Sequence, residues 1–297
     1  MTKLKLGIIG SSPGNGHPYS WSAIFNGYDK SLMNDCPFDV IPKYLNEKDF
    51  PSDYLNKFAE VKYIYTQDYN MSKQIAEASN INNIVHNPED LIGKVDAILL
   101  ARDDAENHYK MSKIFIEAGL PIYIDKPLAF SRAEAKKIFD LQKYSGQVYS
   151  CSALRFADEL ILTEKDKEFI GELKHIEVSI PNNWKKYSVH IIEPIISQFD
   201  NIGNFIKIIP FFKDGINHCL VEWKEFSAYI KTTGNIPSSL NYRFYGSKNF
   251  IDKPFLDTFN CFKKSLMNFV NIINGKSKNI PEKETLEIIS LIEKGSL

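Results

Sequence analysis

The chain has 297 residues, of which 43% are hydrophobic and 25% are charged, and its formal net charge is −1. This size and composition predict a globular protein of one large domain or two smaller ones, without the basic field that nucleic acid or an anionic membrane requires. No apolar run approaches the roughly 20 residues that span a bilayer. No secretory signal precedes the first strand, and the cysteines lack metal-ligand spacing. We therefore expect a cytoplasmic protein with reduced thiols, no metal, and no nucleic-acid or membrane partner.

The first predicted strand, residues 4–9, runs directly into a loop rich in glycine and serine, residues 10–16. Backbone N–H groups and the dipole of a following helix make such a loop suitable for a phosphate group. The spacing departs from GxGxxG because Ser12 stands where the second glycine belongs, so an ordinary loop and a dinucleotide site are comparable interpretations. We expect Ser20 to cap the next helix. The candidate phosphate contacts are Gly10, Ser11, Ser12, Gly14 and Gly16.

Residues 29–57 are polar with short apolar runs, and they predict an irregular insertion that contains at most a short strand at 38–41. Beyond this insertion, apolar runs predict strands at 61–65 and 84–85, with a helix at 71–79 between them. This alternation of strands and helices is typical of a doubly wound α/β domain.

Residues 95–130 predict the centre of that domain. Consecutive apolar residues at 97–101 indicate a strand buried on both faces, and a helix at 105–118, ended by Gly119, leads to a second strand at 121–124. Strand, helix and strand with short joints predict a right-handed crossover between parallel strands. Ligands collect beyond the carboxyl ends of such strands, where four polar residues are expected: Arg102, Asp103, Asp125 and Lys126.

The pattern changes after about residue 152. Before that point, a capping box at Ser131 predicts a helix, and a strand follows it at 147–152. Beyond it we expect a helix start or kink at Pro194 and an antiparallel meander. The predicted helices are 158–165, 255–273 and 282–294, and the predicted strands are 173–180, 205–212, 219–223, 226–232 and 240–245.

These elements together predict the fold class and the domain organisation. The first domain, residues 1–127, is expected to be an α/β Rossmann domain with a parallel doubly wound sheet. The second, residues 128–297, is expected to be an α+β domain with a mostly antiparallel open sheet. The helix at 131–145 and the strand at 147–152 would bridge the two.

Lys126 is the sharpest catalytic candidate because it lies at a strand end, between an acid and a proline. A lysine in a partly desolvated cleft can lower its pKa from about 10.4 and serve as a proton mediator, whereas a solvated lysine is the commoner fate. The same tripeptide occurs again as Asp252-Lys253-Pro254. The tripeptide alone is therefore uninformative, and its place after strand, helix and strand is what singles out Lys126.

Several motifs lie close together over the first half of the chain: residues 7–10 with the loop to His17, 95–101, His108, 117–129 and 154–156. They resemble the glucose–fructose oxidoreductase / inositol dehydrogenase / rhizopine catabolism (Gfo/Idh/MocA) family. The resemblance implies a Rossmann domain, an open antiparallel sheet domain, and NAD(P)-dependent oxidation or reduction of sugars and cyclitols. The family's Glu-Lys-Pro motif stands here as Asp125-Lys126-Pro127, which implies that Lys126 contacts the nicotinamide ribose and the reacting substrate oxygen.

The family's second catalytic motif is an Asp, a His four residues later and an acid three residues further on. Here His190 matches and Glu193 replaces the last acid, but Lys186 stands where the first Asp belongs. A neutral histidine is suited to accept a hydroxyl proton while hydride leaves the same carbon. Tyr187 is a second candidate for proton transfer, and a packed helix histidine is the alternative for His190.

The same alignment puts Thr66, rather than Asp68, at the ribose-binding position. A carboxylate there would bind the 2′-hydroxyl of NAD and repel the 2′-phosphate of NADP, whereas Thr66 does neither strongly. Asp68 would substitute for it if the strand ended one residue later, and we favour NAD of the two cofactors. The predicted cofactor contacts are Gly10, Ser11, Ser12, Gly14, Gly16, Thr66, Gln67, Asp68, Ala101, Arg102, Asp103, His108, Asp125, Lys126 and Arg155. The predicted substrate contacts are Lys126, Arg155, Trp184, Tyr187 and His190, of which Lys126, His190 and Tyr187 are the catalytic candidates.

Two other functions stay open at this point. Ser12, Thr66 and Lys186 depart from the family pattern, as expected for a regulatory protein that binds nucleotide and has lost turnover. A second alternative retains nicotinamide and uses transient oxidation for elimination or hydrolysis. In every case a small-molecule ligand is expected, and the open sheet predicts a homo-oligomer, most simply a dimer, or a tetramer.

Overall fold

A computed structural model describes residues 2–199, 202 and 204–296. Within it the chain forms two compact units, each assembled from several segments. The first unit contains the chain up to Leu128, together with Lys136–Ser150 and Phe262–Ile280. The second unit contains Ala129–Ala135, Cys151–Cys261 and the chain from Pro281 onward.

The first unit is built on a sheet of six parallel strands in the order β3-β2-β1-β4-β5-β6. The strands are β1 (Leu4–Ile9), β2 (Ala59–Tyr65), β3 (Asn83–Ile84), β4 (Ala97–Leu100), β5 (Ile122–Ile124) and β6 (Val148–Tyr149). All four residues of β4 are buried, as the unbroken apolar run requires of a strand covered on both faces. The predicted doubly wound parallel sheet is confirmed.

Helices connect these strands: α1 (His17–Asn26), α2 (Lys30–Asn34), α3 (Val40–Asn46), α4 (Tyr69–Ala78) and α5 (His108–Glu117). Two further helices, α6 (Arg132–Phe139) and α10 (Thr258–Ile273), have residues in both units. Gly119 follows α5 with a φ of 85°, so the predicted left-handed residue after this helix is confirmed.

Two predictions for the first unit are wrong. Helix α1 begins at His17 rather than after Ser20, because Pro18 suits the first turn of a helix, where its missing N–H is not needed. Residues 38–41 form no strand, since the insertion folds as α2 and α3. The Asp29 side chain accepts hydrogen bonds from the first N–H groups of α2, and a short apolar run alone does not distinguish strand from helix.

The second unit contains another six-stranded sheet, in the order β12-β11-β7-β10-β9-β8. Its strands are β7 (Leu173–Ile180), β8 (Lys207–Lys213), β9 (Ile216–Glu222), β10 (Ser227–Thr232), β11 (Asn241–Gly246) and β12 (Phe250–Pro254). β7 pairs in parallel with β10, and the other neighbouring strands are antiparallel. The mostly antiparallel sheet is confirmed, but the simple meander is wrong, because β7 lies between β10 and β11.

The helices of the second unit are α7 (Glu164–Ile170), α8 (Trp184–Tyr187), α9 (Val189–Gln198) and α11 (Glu282–Gly295). The helix predicted at 158–165 is instead a short 3-10 turn followed by α7, which begins where Thr163 and Asp166 form a capping box. Pro194 lies inside α9 and does not start it. No helix of the described residues is long and apolar enough to cross a membrane.

Candidate functional site

The glycine-rich loop, residues 10–16, leads from β1 to the first turn of α1. Gly10 has a φ of 81°, and a Cβ atom on it would lie 2.8 Å from the Arg102 side chain. A Cβ atom on Gly16 would lie 2.7 Å from the ring of Phe38. Both positions therefore require glycine, the first for its backbone conformation and both for the close approach of neighbouring side chains.

A cavity of about 590 Å³ lies beside this loop within the first unit. Its lining combines polar side chains with apolar and aromatic ones. Its lining residues are Ser11, Ser12, Pro13, Gly14, Asn15, Pro18, Tyr19, Pro37, Phe38, Gln67, Met71, Gln74 and Ile75, none of which carries a charge. Loop N–H groups suit a pyrophosphate, and the apolar side chains suit the flat face of a base. The residues present therefore fit the adenosine half of a dinucleotide.

The residues after β2 contribute unequally to this cavity. The Thr66 hydroxyl donates to the carbonyl oxygen of Asp68 (2.6 Å) and lies 2.8 Å from the Ser72 hydroxyl. Asp68 caps α4, since its Oδ1 accepts backbone N–H groups of that helix. Gln67 lines the cavity and also binds the loop, because its Nε2 donates to the Ser11 carbonyl and its Oε1 accepts the Ser11 N–H. Of Thr66, Gln67 and Asp68, Gln67 is the residue that lines the cavity, and it presents an amide there rather than a carboxylate.

Asp125 follows β5 and is buried in a hydrogen-bond network with the glycine-rich loop. Its Oδ2 accepts from Asn15 Nδ2 (2.8 Å) and lies 2.5 Å from His17 Nδ1, while its Oδ1 accepts the Lys126 N–H (2.7 Å). Burial by itself would raise the pKa of Asp125, but His17 and Lys126 hold that pKa well below its ordinary range. An ionised carboxylate only accepts hydrogen bonds, so His17 Nδ1 is the donor in this pair.

Lys126 lies in the same part of the first unit and is 5% exposed. Its Nζ is 3.8 Å from Asp103 Oδ2, and Asp103 Oδ1 accepts the Ser12 hydroxyl proton (2.8 Å). The Asp103 N–H in turn donates to Ser12 Oγ at 3.2 Å. The ends of β4 and β5 and the glycine-rich loop thus meet, and the structure brings together the predicted residues Ser12, Asp103, Asp125 and Lys126.

Other predicted cofactor residues surround this network without lining the cavity. Ala101 is fully buried, and Arg102 forms an ion pair with Asp104. His108 is also buried, with Nε2 2.7 Å from the Arg102 carbonyl oxygen and Nδ1 3.0 Å from that of Leu128. His108 therefore ties the end of β4 to the segment that follows Lys126.

In the second unit, His190 lies on the first turn of α9. Its Nδ1 is 2.8 Å from Ser152 Oγ, and its ring centroid is 5.7 Å from that of Tyr187. The Ser152 N–H donates to Glu193 Oε2 at 2.7 Å. Burial raises the pKa of Glu193 to about 7, although Arg155 and the Ser152 N–H act in the opposite direction. Lys186, at the position of the family's Asp, donates its backbone N–H to Asn183 Oδ1.

Arg155 and Trp184 are engaged in packing within the second unit. Arg155 Nη1 lies 3.2 Å from Glu193 Oε1 and 2.5 Å from Glu284 Oε1. Trp184 is buried, and its Nε1 donates to the carbonyl oxygen of Ile292. Both residues have structural partners, and their predicted roles toward cofactor and substrate stay predictions.

Sequence reasoning missed several residues that the structure places in these networks or on the cavity, among them Asn15, His17, Phe38 and Ser152. The sequence did contain an indication that His17 belongs to the site, because this residue ends the loop of the first family motif. Phe38 lies in the insertion at residues 29–57, which the sequence predicted to be irregular. Ser152 had no signal, because nothing in the sequence pairs a serine with a histidine 38 positions away.

Comparison with known proteins supports the same view of the chain. Residues 43–152 match a family model described as "Oxidoreductase family, NAD-binding Rossmann fold", GFO_IDH_MocA, which confirms the predicted family resemblance. A search of the curated proteins found no match.

Solved structures share the fold at low sequence identity. A scyllo-inositol dehydrogenase from Lactobacillus casei has 12% identity and a TM-score of 0.72, covering 98% of this chain and 95% of that one. An oxidoreductase from Thermotoga maritima has 14% identity and a TM-score of 0.71, with coverage of 98% and 95%. A UDP-N-acetylglucosamine 3-dehydrogenase from Acidithiobacillus ferrooxidans has 9% identity and a TM-score of 0.71, with coverage of 99% and 97%. At these identities the likeness shows the fold alone.

Proposed function

We propose that this chain, whose residues 43–152 match the Gfo/Idh/MocA oxidoreductase family, is an NAD(P)-dependent dehydrogenase or reductase. Its substrate would be a CH–OH group of a sugar, sugar derivative or cyclitol, or the corresponding carbonyl. The observation that carries this proposal is the buried amine of Lys126, held by Asp103 in the network that also fixes the glycine-rich loop. A protein that only bound nucleotide would need neither Lys126 nor His190 as a proton donor.

The proposed mechanism assigns different tasks to the two units' residues. Nicotinamide, when bound, exchanges a hydride with the substrate carbon. Lys126 would donate a hydrogen bond to the substrate oxygen and stabilise the negative charge that develops on it. His190 would exchange the hydroxyl proton, a contribution of about 10²–10⁴-fold, with Tyr187 as the second candidate for that transfer.

We propose NAD rather than NADP as the cofactor. The cavity beside the glycine-rich loop has no charged lining residue, so a 2′-phosphate would lose water there without gaining a cation. A 2′-hydroxyl, by contrast, could bind the Gln67 amide, which keeps one N–H and one lone pair beyond its bonds to Ser11. We expect NADH to bind at least about tenfold more tightly than NADPH in a fluorescence titration. Equal affinities, or tighter NADPH binding, would refute this choice.

The catalytic proposal is tested by following the absorbance of reduced nicotinamide with a panel of sugars and cyclitols. We expect turnover with at least one member, and loss of turnover in Lys126→Ala and in His190→Ala. Cofactor binding without turnover on any substrate would favour the alternative, a catalytically silent regulatory protein of the same fold. An unchanged rate in both variants would remove the mechanism assigned to these residues.

We also propose that the chain self-associates through the open face of the second unit's sheet, most simply as a dimer. Large apolar side chains on this face are exposed, among them Ile209, Phe211, Leu220 and Phe250. Exposed large apolar side chains on the face of a sheet are typical of an interface between subunits. Light scattering that gave the mass of a monomer at working concentration would reject the proposal.

A further inference from the structure

Ser152 connects two parts of the second unit through its side chain and its backbone. It is fully buried and caps the 3-10 turn Ala153–Phe156. Its hydroxyl accepts the Leu154 N–H at 3.2 Å and lies 2.8 Å from His190 Nδ1. Its backbone N–H donates to Glu193, one turn beyond His190 on α9. Both the backbone N–H and the side-chain hydroxyl of Ser152 therefore contact α9, the helix that carries the proposed proton-transfer residue.

The buried acid and its partners hold Ser152 in place. Glu193 Oε1 accepts from Arg155, and Arg155 also pairs with Glu284 on α11. Arg155 therefore bridges two carboxyl groups, Glu193 and Glu284, all within the second unit. A buried ionic network of this kind tolerates little displacement, because breaking one pair leaves an uncompensated charge. The Ser152 hydroxyl consequently approaches His190 from a fixed direction.

A hydroxyl group is an unusual partner for a proton-transfer histidine because it can both donate and accept. The Leu154 N–H occupies one lone pair of Ser152 Oγ, and the Oγ–H can donate to His190 Nδ1 when the ring is neutral. The ring proton then lies on Nε2. When the ring gains a second proton, the same hydroxyl can turn and accept the Nδ1–H. The contact is thus available in both protonation states, with Nδ1 as acceptor in the neutral ring and as donor in the protonated ring.

We propose that Ser152 is the positioning residue of His190: its hydroxyl fixes the plane of the imidazole ring and its neutral tautomer. It would replace the orienting acid of the family motif, whose place Lys186 takes in this chain. The catalytic part of this inference rests on the proposed oxidoreductase function, but the contact itself does not.

The contact is tested directly by NMR of protein labelled with ¹⁵N-histidine, at a pH where the imidazoles are neutral. We expect wild-type His190, assigned by comparison with His190→Gln, to show an unprotonated Nδ1 and a protonated Nε2. In Ser152→Ala the two nitrogens should move to averaged shifts as the tautomers exchange. Ser227→Ala is a matched control, because Ser227 Oγ lies 2.7 Å from His175 Nδ1 and its loss should alter His175 alone. Identical His190 spectra in wild type and Ser152→Ala would overturn the inference.

The positioning role is tested on an active substrate. We expect Ser152→Ala to lower kcat by about tenfold to a hundredfold with little change in KM, and Ser152→Thr to recover most of the loss. Ser152→Cys, similar in shape but with only a weak donor, should resemble the alanine variant, and it replaces that variant should alanine prevent folding. An unchanged kcat in both variants overturns the inference while leaving the proposed function intact. Absence of wild-type turnover, with the expected spectra, overturns the proposed function and with it the catalytic role of Ser152.

Discussion

The tripeptide Asp-Lys-Pro occurs once in each unit, and the two copies have different surroundings. In the first unit it follows a parallel strand, and both Asp125 and Lys126 are buried at the carboxyl edge of the sheet. In the second unit it lies within a strand, as the last three residues of β12, which is an edge strand of the mostly antiparallel sheet. Because side chains alternate along a strand, Asp252 and Lys253 point to opposite faces and find separate partners, Arg243 and Asp166.

The position of the tripeptide relative to its strand therefore decides its chemistry. At the end of β5 the backbone leaves the ladder, so both side chains can enter one network with the glycine-rich loop. Inside β12 the ladder fixes their directions, and the exposed pair of Asp252 and Arg243 contributes little to stability. The same three residues are thus a candidate catalytic element in one unit and ordinary strand residues in the other.

The largest expected difference between the two copies is in catalysis. Lys126→Met should lower turnover by about a hundredfold or more, because it removes the donor proposed to stabilise charge on the substrate oxygen. Lys253→Met, the matched change in the other copy, should leave kcat and KM unchanged. Both are measured by nicotinamide absorbance on one active substrate, with folding checked by circular dichroism. Equal losses in the two variants would erase the distinction between the copies.

The next difference is in stability. Asp125→Asn should lower the free energy of unfolding by about 3 kcal/mol, because it removes a buried charge that His17, Asn15 and Lys126 all contact. The equivalent change, Asp252→Asn, should lie within about 0.5 kcal/mol of wild type, since this carboxylate is exposed. Urea denaturation of the two variants gives both values. A loss at Asp252 as large as the loss at Asp125 would contradict this ranking.

The sequence predicted those strands and site residues that depend on local pattern. β1 and β7 have the predicted bounds, 4–9 and 173–180, because long apolar or alternating runs determine strands strongly. The site around Asp103 and Lys126 was also predictable, since the carboxyl ends of neighbouring parallel strands meet at one edge.

The remaining features depend on contacts between residues distant in sequence. His17 and Asp125 are 108 positions apart, and no spacing rule predicts their hydrogen bond. The insertion of β7 between β10 and β11 likewise follows from packing of the whole sheet, and the strand patterns alone are equally compatible with a meander. Long-range pairing of this kind is visible only once the chain has folded.

The pKa values of two buried carboxyl groups, Asp125 and Glu193, shift in opposite directions. Glu193 is also buried beside a cation, yet burial raises its pKa to about 7, whereas the partners of Asp125 lower the pKa of that carboxyl. A carboxyl whose pKa is raised on folding stabilises the protein fully below its unfolded pKa of about 4.3, and this contribution is lost as the pH rises through 7.

We therefore expect wild-type stability to decline between about pH 4 and pH 7 more steeply than that of Glu193→Gln. Thermal unfolding at several pH values, followed by circular dichroism, measures the difference between the two curves. Parallel curves would show that Glu193 is ionised throughout this pH range. The partners of Asp125 and Glu193, rather than burial, would then determine the pKa of both carboxyl groups.

The smallest expected effect concerns the ion pair of the second tripeptide. Lys253 Nζ lies 2.5 Å from Asp166 Oδ2, and the same oxygen accepts the Thr163 N–H at the start of α7. Removing the lysine leaves this cap intact, so Lys253→Met should cost less than about 1 kcal/mol. Asp166→Asn loses the ion pair and weakens the cap, and it should cost more, by about another 1 kcal/mol. Urea denaturation at low and high salt separates the two contributions, because salt screens the ion pair but not the cap. A Lys253→Met loss as large as that of Asp166→Asn would mean that the second Asp-Lys-Pro copy also holds a lysine on which the fold depends.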